Sequence, residues 1–168
     1  MKISVIAAIG KNRELGKNGK IPWHISEDFK RFKQITSGYP VIMGRKTWET
    51  LPIKPLPGRY NVVVTRDPEF TINGSKSGKD FIIAASLQEA IGSASIVVGS
   101  DEIFIIGGGQ IYQQAISLAD KLYLTVIDRT FDADTFFPDY SDFKKVVFEK
   151  ESQEGEYKYK FLELEKQA

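Results

Sequence analysis

Residues 2–9, K-I-S-V-I-A-A-I, are β-rich and apolar at nearly every position after Ser4. A strand with one wet face alternates apolar and polar residues. A continuous run must be buried on both faces, as in the middle of a parallel or mixed sheet covered by helices. Further strands are expected at 39–44, 60–65, 81–84, 103–106 and 121–127, with helices at 26–35, 45–51, 86–91 and 109–119 between them. K-V-V-F-E-K at 145–150 and Y-K-Y-K-F-L-E-L at 157–164 flank Glu154-Gly155-Glu156 and alternate, which predicts an antiparallel hairpin at a sheet edge. The expected fold is a three-layer α/β/α domain spanning 1–168, with a mixed, mostly parallel central sheet and an antiparallel C-terminal hairpin. Its pocket should open at the carboxyl ends of the parallel strands. Residues 66–80 read as a surface loop. In 92–102, I-V-V fits a strand or a helix end equally well.

Composition narrows the chemistry. The 168 residues carry 23 basic and 22 acidic side chains, a net charge of +1, so bulk electrostatics point to neither a nucleic-acid nor a membrane partner. There is no cysteine, which excludes disulfides, thiol catalysis and thiolate metal sites, and the single histidine, His24, cannot form a histidine cluster. No metal site is expected. The first ten residues read as a buried strand, not a signal peptide, and no run approaches bilayer length, so the expectation is a cytoplasmic protein.

The most informative helix lies in I-P-W-H-I-S-E-D-F-K-R-F-K at 21–33. Pro22 and Ser26-Glu27-Asp28 mark its start, with Ser26 placed to cap the first-turn N–H groups. Ile25, Phe29, Phe32 and Ile35 recur at spacings of three and four and predict one inward apolar face. Asp28 stands at the edge of that face. It fits an ordinary first-turn carboxylate favoured by the helix dipole. It also fits a carboxylate held in an apolar wall, its pKa raised by desolvation, to bind a cationic or amidine-like ligand edge.

Other stretches are equally two-sided. The irregular segment 10–20 is long for a compact domain, as functional loops are. Gly44-Arg45-Lys46-Thr47 brings a strand end and a basic helix start together, which suits an anion or merely a solvated surface. P-I-K-P-L-P-G-R at 52–59 is stiffened by three prolines and delivers Arg59, either to clamp a carboxylate or to sit in solvent. Thr65 and Arg66 at a strand end fit a phosphate or a turn. Gly107-Gly108-Gly109 allows close approach to a ligand or a tight turn. Tyr112 follows in the next helix, to lie along a planar ring or to pack. Thr125 carries a hydroxyl that needs a partner, for which Asp28 is a chemical candidate. The carboxylates of D-R-T-F-D-A-D-T-F-F-P, residues 128–138, either hold the 10–20 loop through its N–H groups or are solvated.

These pieces in this order, L-G-K-N-G-K-I-P-W, S-E-D-F-K-R-F-K, V-I-M-G-R-K-T-W-E-T-L, L-P-G-R-Y-N-V-V-V-T-R, I-I-G-G-G-Q-I-Y, L-Y-L-T-V-I and D-A-D-T-F-F-P, resemble the dihydrofolate reductase family over nearly the whole chain. The resemblance implies NADPH-dependent reduction of 7,8-dihydrofolate by hydride transfer to pterin C6 with protonation of N5. It gives Asp28 the pterin ring nitrogen and 2-amino group, with Thr125 bonded to that carboxylate and Trp23 ordering a water nearby. Phe32 would pack on the ring, Leu51 on the benzoyl portion, and Arg59 would take the tail carboxylate. Ile6 and Ile106 would lend carbonyls, with Ala8 lining the pocket.

On the cofactor side the resemblance implies Ala8, Ile21, Gly44, Arg45, Lys46, Thr47, Thr65, Arg66, Ile106, Gly108, Gly109, Gln110, Ile111 and Tyr112. It also implies a cis Gly107–Gly108 bond, contacts between Asp134 and the 10–20 loop, sensitivity to antifolate inhibitors and a monomer. Ile21 stands where bacterial relatives carry methionine, and 92–102 is extended. The rival readings are a pyrimidine reductase of riboflavin synthesis, which would need a ribose-phosphate site near Arg59, and a non-enzymatic anion- or RNA-binding module using Lys30, Arg31, Lys33, Arg45 and Lys46.

Overall fold

The computed structural model describes residues 1–167. In chain order the elements are β1 (Lys2–Ile9), β2 (Glu14–Gly16), α1 (Ser26–Thr36), β3 (Val41–Gly44), α2 (Arg45–Thr50), β4 (Asn61–Val64) and β5 (Phe81–Ala84). Then come α3 (Leu87–Ala94), β6 (Glu102–Gly107), α4 (Gly109–Ala115), β7 (Lys121–Ile127), β8 (Thr135–Phe136), β9 (Lys145–Glu154) and β10 (Tyr157–Glu165). Eight strands form one sheet in the order β5-β4-β3-β6-β1-β7-β10-β9, and β2 pairs with β8 in a separate ribbon. Pairings from β5 through β7 are parallel, and β10 joins β7 and β9 antiparallel.

The continuous apolar runs work as expected, because successive side chains feed opposite layers. Val5, Ala7 and Ile9 of β1, Ile42, Val62, Ile103 and Ile105 face a core shared with Leu87 and Ala90 of α3 and Ile111 and Ala115 of α4. Ile6, Val41, Met43, Val63 and Phe104 face the other side, against Trp48 of α2 and Phe32 and Ile35 of α1. A third cluster, of Trp23, Ile25, Ile127, Tyr159 and Phe161, seats the start of α1 on the hairpin side of the sheet.

Several expectations needed correction. Ser26 is the first helical residue, not the cap; Ile25 takes the extended cap position and offers no side-chain bond. The orphan N–H groups of Ser26 and Glu27 instead donate to Glu154 Oε2 and Oε1, at 2.8 and 3.1 Å, from the far end of β9. Phe29 does not face the core but is 55% exposed, with its ring 5.1 Å from His24, because this part of α1 borders an open cleft. Helix α4 stops at Ala115, short of 119, and Leu118 is exposed. The chain must turn there so that Asp120 can exchange bonds with Ile3 of β1: its N–H donates to Ile3 O at 2.7 Å and its carboxylate accepts from Ile3 N at 2.8 Å. Residues 96–98 form no strand, since β6 already has neighbours on both sides; Ile96 and Val98 are exposed. The alternation of the hairpin produces burial in β10 alone, because β9 is the sheet edge and nothing covers it.

The two N–H bonds hold the Glu154 carboxyl below its ordinary 4.5. A lowered folded pKa gives stability that is present above the unfolded value and lost as pH falls through the folded one. Glu154→Gln should therefore lower the melting temperature at neutral pH. The gap between variant and parent should close as the pH is taken down through the depressed pKa, which thermal unfolding across pH will read.

Candidate active site

The cleft lies at the carboxyl ends of β1, β6 and β7, under α1. In the β1–β7 ladder Ala8 stands opposite Thr125. The buried Thr125 hydroxyl donates to Asp28 Oδ1 at 2.5 Å, the contact that the family resemblance implies. Burial pushes the Asp28 carboxyl above its ordinary 3.8, opposed by the Thr125 bond and by the charge of Arg31. Tyr112 is buried on the facing side, and its OH lies 2.8 Å from Ile6 O and 2.9 Å from Ile106 O. Burial, with the Asp28 charge adding to it, holds this phenol firmly protonated, so it remains a donor at any ordinary pH.

Trp23 is buried and packs on Phe131 with ring centroids 4.8 Å apart. Phe32, Leu51 and Ile35 are half-buried and form an apolar wall beyond Asp28. At the other end of α1, Arg59 is only 8% exposed. Its Nη1 donates to Thr36 Oγ1 at 3.0 Å, its Nε donates to Pro57 O at 2.9 Å, and the guanidinium lies 5.9 Å from the Phe32 ring centre. Among the described residues it has no carboxylate partner, and burial lowers its pKa. Thr36 and Asn61, which sequence reasoning passed over, set this up. Thr36 donates to Phe32 O at 2.8 Å while accepting from Arg59. The Asn61 amide ties together Leu56, Arg59 O and Asp80 O beneath the proline-stiffened loop, which contains a cis Lys54–Pro55 bond. Asp28 and Thr36 are eight positions apart, about 12 Å along the helix at 1.5 Å per residue. The cleft thus has an acceptor at one end and a cation at the other.

The glycines form its other wall. Gly107–Gly108 is a cis peptide, as the family resemblance implies, and Gly107 has φ +131°. A Cβ on Gly44 would lie 3.3 Å from Ile111 Cγ1 and 3.9 Å from Gly108 N, so the starts of α2 and α4 lie side by side. Both helices begin after an extended glycine with no side-chain cap, which leaves open N–H groups where an anion can sit. Thr47 Oγ1 lies about one atom's contact from both Gly107 and Gly108, 3.4 and 3.3 Å from their Cβ positions. Lys46 and Arg66 are exposed, with no ion pair among the described residues. Arg45 differs: it is 2.9 Å from Asp67, its Nε is 3.4 Å from Glu49, and it lies over Phe70 at 4.5 Å. Thr65 Oγ1 accepts from Asp67 N at 3.2 Å and so orients that carboxylate. Open helix starts, a hydroxyl and cations fit a dinucleotide's phosphates. Of the remaining positions, Gln110 is exposed at the start of α4, and Ile21 is exposed in the loop before α1, away from the buried cluster.

The family model for dihydrofolate reductase matches residues 2–166. The chain belongs to the dihydrofolate reductase family. The dihydrofolate reductase of Bacillus subtilis is 39% identical over 168 residues, covering 98% of this chain and 94% of that protein. The Neisseria meningitidis protein of the same name is 46% identical over 138 residues, covering 82% and 80%. A solved structure of the Enterococcus faecalis dihydrofolate reductase, complexed with NADP(H) and RAB-propyl, superposes with a TM-score of 0.84 at 28% identity, covering 99% of this chain and 97% of that one. The chain is an NADPH-dependent oxidoreductase that reduces 7,8-dihydrofolate to tetrahydrofolate.

The loop over the cleft is tied down by carboxylates. Asp134 Oδ2 accepts from Asn18 N at 2.9 Å, Asp134 N donates to Gly16 O at 3.0 Å, and Lys17 pairs with Asp132. Glu14, which sequence reasoning did not single out, is buried in β2 and accepts from Asn12 N at 2.5 Å and Phe131 N at 2.6 Å. Its sequence neighbours, Asn12, Arg13 and Lys17, are those of a solvated loop and gave no sign of burial. Asp134→Ala should speed amide exchange at Asn18 and lower both NADPH affinity and turnover; unchanged values for all three would separate this loop from catalysis.

Proposed function

We propose that the cleft between Asp28 and Arg59 holds dihydrofolate, with the pterin at Asp28 and the anionic tail at Arg59. The reading is carried by the Asp28 carboxylate, desolvated in an apolar wall and held by Thr125 at 2.5 Å. Such a group pairs with an edge that offers two N–H donors side by side, which a pterin's ring nitrogen and 2-amino group provide. Phe32 and Leu51 supply the apolar walls, Ala8 leaves room beside Thr125, and the Ile6 and Ile106 carbonyls with the Tyr112 hydroxyl polarise the pocket floor. Arg59, with no carboxylate partner among the described residues, is prepared for the ligand's own.

NADPH supplies the hydride when bound. Gly44, Arg45, Lys46, Thr47, Thr65, Arg66 and the Gly108–Tyr112 stretch would hold it across the two adjacent helix starts. The protein's part is to fix the reacting rings and exclude bulk water. Asp28 keeps the pterin oriented and polarised while water admitted beside Trp23 and the 10–20 loop protonates N5. The same reading takes 1–168 as one domain that acts as a cytoplasmic monomer, without a nucleic-acid partner and open to antifolates in the same cleft. It is supported by a charge close to balance and by the lack, among the described residues, of a helix long and apolar enough to cross a membrane.

Loss of NADPH absorbance on mixing with dihydrofolate, with NADH in parallel, tests the activity. Asp28→Asn should lower hydride transfer by about 10²–10⁴-fold at neutral pH, with partial recovery at low pH where substrate arrives protonated. Because the folded pKa of Asp28 is raised, its contribution to stability is greatest below pH 3.8 and is lost as pH rises through the folded pKa. The Asn variant should therefore gain on the parent in melting temperature as pH rises through that pKa. Arg59→Met should weaken dihydrofolate binding by about 3 kcal/mol, roughly a hundredfold, while leaving the fold at least as stable. Isothermal titration and thermal unfolding read the two effects.

A further inference from the structure

The reaction leaves a polar cluster close to the site unused. It lies on the outer side of α1, one residue from Asp28. Glu27 Oε1 accepts two hydroxyl bonds, from Ser152 of β9 at 2.6 Å and from Tyr159 of β10 at 2.5 Å. Tyr159 is buried, and that burial, with the bond to Glu27 adding to it, pushes its phenol up to about 12. The same two hydroxyls hold the Glu27 carboxyl below its ordinary range. Four residues on, Arg31 Nη2 donates to Glu163 Oε2 of β10 at 2.8 Å, and its guanidinium lies over Phe161 at 4.7 Å and Phe148 at 5.1 Å. Positions 27 and 31 share a helix face, so α1 is fastened to the hairpin along one line.

That line matters because of what β10 also touches. In the β7–β10 ladder Tyr159 stands opposite Ile127 and Phe161 opposite Thr125. Thr125 is the residue that holds Asp28. The constraints therefore close on themselves: Asp28 is bonded to Thr125 on β7, β7 is laddered to β10, β10 carries Tyr159, and Tyr159 grips Glu27, the residue next to Asp28. A helix turns about 100° per residue, so fixing Glu27 on the hairpin side sets the rotation at which Asp28 meets β7. An ordinary surface carboxylate in a first turn would need no buried tyrosine and no second hydroxyl.

We propose that Glu27 is a positioning residue for the reduction, anchored by Ser152 and Tyr159 so that α1 presents the Asp28 carboxylate at a fixed height and rotation against Thr125. The inference rests on the assignment of Asp28 to the pterin. The titratable and charged groups that face Asp28 are Arg31 from α1 and Tyr112 from α4, with the Thr125 hydroxyl from β7. Glu27 acts through geometry, not through charge on that carboxylate.

The test measures single-turnover hydride transfer across pH, NADPH affinity and melting temperature for four variants. Ser152→Ala/Tyr159→Phe removes both hydroxyls with no change of charge and leaves the aromatic ring in place. Glu27→Ala removes the acceptor, Glu27→Gln keeps Oε1 for both donors, and Asp28→Asn reports on the underlying site. The double variant and Glu27→Ala should slow hydride transfer on the order of tenfold, with Glu27→Gln within about twofold of the parent. The apparent pKa of the rate should move upward in the slow variants, because a loosened Thr125 bond favours the ionised carboxylate less. NADPH affinity should be unchanged.

A lower melting temperature with the parent's rate and pH profile would overturn the proposal, leaving Glu27 a structural tie. So would a slow Glu27→Gln variant, or a rate loss matched by an equal loss of NADPH affinity. If the double variant fails to fold, Ser152→Ala alone, at a half-buried hairpin position, carries the same readings. If Asp28→Asn itself keeps the parent's rate, the pterin assignment fails and this inference with it; if only Asp28→Asn is slow, the inference alone fails.

Discussion

The hydrogen bond from Thr125 to Asp28 joins the two parts of the molecule that must agree for the site to exist. One partner belongs to the interior of the sheet, the other to a helix packed on one of its faces. A carboxylate in this position is costly, since desolvation works against its charge and only one hydroxyl and a neighbouring guanidinium offset that cost. What relief the charge has comes from the sheet register, which sets Thr125 beside it, opposite Ala8 on one side and Phe161 on the other. Small Ala8 leaves the space beside it, and large Phe161 fills the space behind.

The cleft keeps its charges apart. Among the described residues Asp28 has no cation in direct contact and Arg59 no carboxylate, although both are substantially withdrawn from water. Several other charges are paired in the ordinary way: Lys121 and Arg31 meet Glu163, and Arg45 meets Asp67. A protein selected for stability alone would not leave two such groups without counter-ions at the ends of one helix. The ligand completes both, and the length of α1 spaces them.

How far the sequence could be read depended on the range of the forces involved. Strands β1 and β7 lie where the apolar runs put them, because each residue of a buried strand reports its own burial. Ser86 caps α3 as its position suggested, accepting from Glu89 N. Ser26 had the same local credentials and does not cap α1, because Glu154, more than a hundred residues later, reaches those N–H groups. Phe29 kept the periodicity of a core residue yet is exposed beside His24. Each miss was decided by a neighbour that no local pattern names.

The residues of the site were legible by type: a carboxylate in an apolar helix, a hydroxyl inside a strand, an arginine after prolines, and glycines between strand and helix. Their order along the chain was enough to point to a dihydrofolate reductase. The sequence by itself determined the alternation of strands and helices, the exclusion of thiol chemistry, and the candidates for catalysis, because burial periodicity and side-chain chemistry are local properties. Only the tertiary structure decided that Arg59 is buried without a counter-ion among the described residues, that Arg45 is engaged by Asp67, and that Glu27 is gripped by the hairpin. Those are pairings across strand ladders and between layers, and a hydrogen bond depends on tenths of an ångström that spacing along a chain does not specify.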